Sequence, residues 1–74
     1  MAKYLVVLRI VIRNKGNDRI MQEITREKNI DCDSNMLREE ISKKKDLLRN
    51  KFMEIWKDDD DASIDVLVSQ IVSL

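Results

Sequence analysis

The sequence predicts a mostly α-helical single domain with one N-terminal β-strand, in the order strand, helix, helix, helix. Three observations predict it. Residues 4–12 are apolar except for Arg9, too short a run for a typical helix and rich in β-branched side chains. Three later segments place apolar residues at helical spacing. The chain has no proline and a single glycine, so little forces it to break.

The strand is expected over residues 3–13. Alternation assigns it two faces. Tyr4, Val6, Leu8, Ile10 and Ile12 form an apolar face built for a core, and Lys3, Leu5, Val7, Arg9, Val11 and Arg13 form a mixed one. Residues 14–17, "NKGN", form a turn. Asn17 is placed to cap a first helix over residues 18–28, with Ile20, Met21 and Ile24 as its buried stripe. Residues 29–35, "NIDCDSN", make a short connection of turn and cap residues, with Ser34 or Asp33 as the next cap. The second helix is expected over residues 35–57. Its stripe contains Met36, Leu37, Ile41, Leu48, Phe52, Ile55 and Trp56, interrupted by Lys43, Lys44 and Lys45. The carboxylates of Asp58–Asp61 oppose the negative end of that helix and suit the start of another. The third helix is expected over residues 62–73, with Ile64, Leu67, Val68, Ile71 and Leu74 at three-to-four spacing.

Seventy-four residues bury a modest core, and such chains commonly draw stability from disulfides, metals or oligomerisation. Cys32 is the only cysteine and histidine is absent, which leaves oligomerisation. A lone strand points the same way, because its backbone groups need a partner. A second copy supplies one. The expected assembly is an intertwined homodimer whose N-terminal strands pair antiparallel in a two-stranded ribbon. Its core would hold Val6, Leu8, Ile10, Ile12, Ile20, Ile24, Leu37 and Ile41.

Net charge is zero but uneven. Residues 1–57 carry all 14 Lys and Arg against nine acids, and residues 58–74 carry five Asp and no base. A basic front of this kind invites a nucleic-acid reading. The single cysteine fits a reducing, cytoplasmic setting. No signal-peptide pattern is visible, and the apolar run falls well short of the roughly 20 residues a membrane helix needs.

The strand over Leu8–Arg13, Ile20 and Ile24, Ile30 before the turn, the Ser34-Asn35 helix start, and Leu37 with Ile41 together resemble the ribbon-helix-helix family of DNA-binding proteins. The likeness spans residues 3–50. The extra C-terminal helix looks like an elaborated form described from a virus of thermophilic archaea. Membership would imply a transcriptional regulator that lays its ribbon in the major groove of double-stranded DNA. Arg9, Val11 and Arg13 would then face the base edges. Arginine suits guanine O6 and N7, and valine suits a thymine methyl. Backbone N–H groups of Ser34, Asn35 and Met36 would hold a phosphate, with Lys3, Lys15 and Arg19 as further backbone contacts. The family's usual glycine in the turn is asparagine here.

Other readings compete. Arg9 and Arg13 also suit solvent-facing charges that discourage edge aggregation. Asp31, Asp33 and Asn35 match the first ligands of a calcium loop, but Met36 stands at the required glycine and Ser42 at the closing glutamate. No metal or other cofactor is expected. With no histidine and no glycine-rich phosphate loop, the chain reads as a non-enzyme. The second and third helices would otherwise form a hairpin that binds proteins, with a loose likeness to small sporulation-type phosphatases in "ISKKKDLL" and "VSQIVSL". An antitoxin whose last helix holds a partner combines both ideas.

Overall fold

A computed structural model describes residues 2–74 and shows a three-stranded antiparallel sheet with one helix on one face. Strand β1 (Ala2–Asn14) turns into β2 (Ile20–Cys32). A 3-10 turn, Ser34–Met36, leads into helix α1 (Leu37–Ile55), and β3 (Ala62–Ser73) closes the chain. The spatial order is β2-β1-β3, so β1 is the central strand.

This overturns the predicted helical fold in two segments. Residues expected as the first and third helices are strands β2 and β3. The predicted intermolecular ribbon is absent for the same reason: β1 has both edges occupied by its own chain. A central position suits this apolar run, because neighbouring strands at both edges pair its backbone groups within the chain. In β3, Ile64, Val66 and Val68 alternate as a strand requires, while Ile64, Val68 and Ile71 also fit a helical stripe. The β-branched content of this segment favours the strand. In β2, Ile20 and Ile24 have helical spacing among helix-tolerant charged residues. Pairing with β1 along nearly its whole length decides otherwise.

The predicted strand and second helix are present. Strand β1 covers residues 2–14 against the expected 3–13, and α1 covers 37–55 against 35–57. The helix begins later because Ser34, Asn35 and Met36 form the 3-10 turn. Neither Ser34 nor Asp33 supplies a side-chain cap. Glu39 and Glu40 lie in the first helical turn, where they suit its dipole.

The apolar row of β1 holds the fold together. Val6, Leu8, Ile10 and Ile12 are fully buried and cluster with Ile30, Ile41, Leu48, Phe52 and Val66. Burying each such side chain contributes roughly 1.5–3 kcal/mol before entropy is counted. The residues expected in a dimer core therefore build a core within one chain. Ile41 is part of it, and Ile24 and Leu37 pack against its margin. Ile20 does not join: it is 49% exposed beside an irregularity of the β1–β2 register.

The β1–β2 turn rests on Asn14. Its Oδ1 accepts from the Gly16 N–H at 2.8 Å, and its carbonyl accepts from the Asp18 N–H at 2.7 Å. Asp18 closes the turn at φ 58°, the left-handed region that aspartate tolerates better than branched residues. The acidic run also ends as a turn rather than a helix start. The Asp59 N–H donates to the Trp56 carbonyl, and the Asp61 N–H donates to Asp59 Oδ1, both at 3.0 Å.

Two stability measurements check this account. Leu8→Ala should cost about 2–5 kcal/mol in urea unfolding, as a fully buried leucine does. Asp18→Val should cost about 1–2 kcal/mol, because a β-branched residue is strained at positive φ.

Candidate interaction surface

The two faces of the sheet differ. Register places the even residues of β1 under α1 and the odd residues on the opposite face. That outer face carries Lys3, Arg9 and Arg13 on β1. Glu23, Glu27 and Asp31 on β2 and Asp65 on β3 share it. Acids thus offset the bases, and the face is not a cationic platform.

The predicted base-reading residues sit in the middle of this face. Arg9 Nη2 donates to Glu23 Oε1, a diagonal cross-strand pair. Arg13 Nη1 lies 3.6 Å from Asp18 Oδ1. Val11 is only 1% exposed, flanked along its strand by Arg9 and Arg13 and opposed by Glu23 and Asp65. The ribbon geometry through which these three residues would enter a groove is lost with β1 at the centre. Of the predicted phosphate contacts, Lys3 is exposed opposite Asp31, and Lys15 and Arg19 are exposed in the hairpin turn. Ser34, Asn35 and Met36 are exposed at the approach to α1, between Asp33 and Glu39. These groups are spread over the molecule and do not converge on one surface.

The edges of the sheet also differ. Strand β2 is guarded by charge on both faces: Arg26 and Lys28 on the helix side, Glu23, Glu27 and Asp31 on the other. Charged side chains on an edge, inward-facing ones above all, discourage the addition of another strand. Strand β3 carries one charge, Asp65, in 12 residues. Its exposed edge is apolar, with Leu67 48%, Val68 40% and Ile71 47% exposed. Sequence reasoning missed this edge because the segment was read as a helix.

Beside that edge, α1 and β3 enclose an open groove of about 580 Å³. Leu37, Ile41, Val68 and Ile71 supply apolar lining, and Arg38 and Lys45 supply charge. Neither Arg38 nor Lys45 has an ion pair within 4 Å among the described residues. The lining combines unsatisfied apolar area, free positive charge and an open backbone edge.

Cys32 lies at the end of β2 in the core cluster. Desolvation by burial raises its thiol pKa, and the charges of Glu40, Asp33 and Asp31 raise it further. The folded state therefore favours the neutral thiol. That contribution to stability is complete below the pKa of a free cysteine and is lost as pH rises through the raised value. Among the described residues, no three acidic or cysteine side chains converge as a metal site, and no helix is long and apolar enough to cross a membrane.

Thiol titration with an aromatic disulfide at pH 8 should find Cys32 slower than a free cysteine by on the order of tenfold. Urea unfolding should restore the free rate. No protein-family model, curated protein or solved structure matches this chain.

Proposed function

We propose that this protein is a non-catalytic interaction module that binds an extended polypeptide strand along β3. The observation that carries this reading is the contrast between its edges: β2 is lined with charge, and β3 is apolar and open beside the groove under Arg38 and Lys45. Strand addition draws on both parts of such a site. Backbone hydrogen bonds along the edge provide affinity, and alternate side chains of the incoming strand fill the groove.

DNA binding through a ribbon, expected from the family likeness, has no equivalent support. It needs a ribbon open to the groove, and β1 lies between two strands. Arg9 and Arg13 also have acidic neighbours, although such exposed pairs contribute at most about 1 kcal/mol.

The test uses a short synthetic peptide of alternating valine and threonine with glutamates at its ends. Hydrogen exchange is recorded on the dilute protein with and without it. Added peptide should slow exchange at β3 amides and leave β2 amides unchanged. Ile71→Lys should weaken peptide binding by on the order of tenfold. Protection at β2 instead, or equal binding by the variant, would overturn strand addition at β3.

A further inference from the structure

The strand that the β3 edge is best matched to is another β3. We infer that two copies join β3 to β3 antiparallel about a twofold axis, an inference that rests on the strand-addition reading above. The product is a six-stranded sheet, ordered β2-β1-β3-β3-β1-β2, with both helices on one face.

Self-pairing meets no electrostatic obstacle. Asp65 is the only charged residue in β3. With the axis at Leu67, Leu67 opposes Leu67 and Val66 opposes Val68 on matching faces, and Asp65 of one copy opposes Ser69 of the other, so like charges do not meet. The exposed apolar side chains Leu67, Val68 and Ile71 gain neighbours along the same edge.

Charge then selects the antiparallel orientation. Asp58–Asp61 immediately precedes β3, and these four carboxylates form no ion pair within 4 Å among the described residues. Lys15 and Lys57 do line the same small cavity as Asp59 and Asp60. Arg38 lines the groove beside Ile71, toward the other end of the strand. Antiparallel pairing brings the acidic run of each copy toward Arg38 in the groove of its partner. A parallel arrangement would bring acid to acid.

The assembly also closes. A twofold contact uses the same patch on both copies and leaves no complementary patch open. The edges left outside are the two β2 strands, which are guarded by charge. The association therefore stops at two.

Sedimentation equilibrium over a wide concentration range tests the inference, with circular dichroism confirming that each variant folds. The full chain should sediment as a dimer whose dissociation constant rises with salt. Ile71→Lys, at a half-exposed edge position, should raise that constant at least tenfold. Arg38→Glu should weaken the dimer, and adding Asp61→Arg to the same chain should restore part of the loss. A monomer at every concentration would overturn pairing between copies, while the peptide-exchange result separately decides whether β3 accepts a strand. A mass that climbs past the dimer, or a dimer indifferent to Ile71→Lys, would also overturn it.

Discussion

Burial of one row of side chains on β1 organises this protein. Val6, Leu8, Ile10 and Ile12 point to one face, and no chain this short can leave such a row in water. The row needs cover from above and hydrogen-bonded neighbours at its sides. Helix α1 supplies the cover through Ile41, Leu48 and Phe52. Strands β2 and β3 supply the neighbours. Thirteen residues of β1 at about 3.3 Å each reach about 43 Å, so the central strand sets the long dimension of the molecule, 43 × 18 × 15 Å.

The central strand also fixes what the flanks are free to do. Because β1 uses both edges, the exposed backbone lies on β2 and β3. The two edge strands solve their exposure differently. Strand β2 scatters charge over both faces, and its central helix-side positions Arg26 and Lys28 contribute little to the core. Strand β3 presents valine, leucine and isoleucine, with Val66 fully inside and Val68 and Ile71 half outside. An edge of that kind either finds a partner or becomes an aggregation liability. The proposed strand addition resolves that tension, and the adjacent basic groove gives it direction.

The acidic segment between α1 and β3 connects the two halves of this argument. Carboxylates following the end of α1 discourage its continuation through the unfavourable helix dipole. The same segment turns the chain so that β3 can run antiparallel to β1, and the Lys15 N–H donates to the Asp61 carbonyl to tie it to the hairpin turn. Its charge remains available for a partner because it lies on the exposed rim.

Local periodicity made the N-terminal strand, its alternation and the long helix legible, and the strand's place at the centre of a sheet was not among them. Each rests on a local pattern that one period explains: two for residues 4–12, and 3.6 for Leu37, Ile41, Leu48 and Phe52. The turn at Asn14–Asn17 was legible from its asparagines and glycine. Residues 20–32 and 62–73 were not, because their apolar residues satisfy both periods, and in 20–32 the charged residues also tolerate a helix. The edges of β1 decided them, since a pair of open edges in one chain captures any segment able to extend. The candidate site followed the same division. Arg9, Val11 and Arg13 were correctly placed on the outer face, but their acidic neighbours come from distant strands. The β3 edge and its groove exist only once α1 and β3 pack together, and only the tertiary structure could decide that.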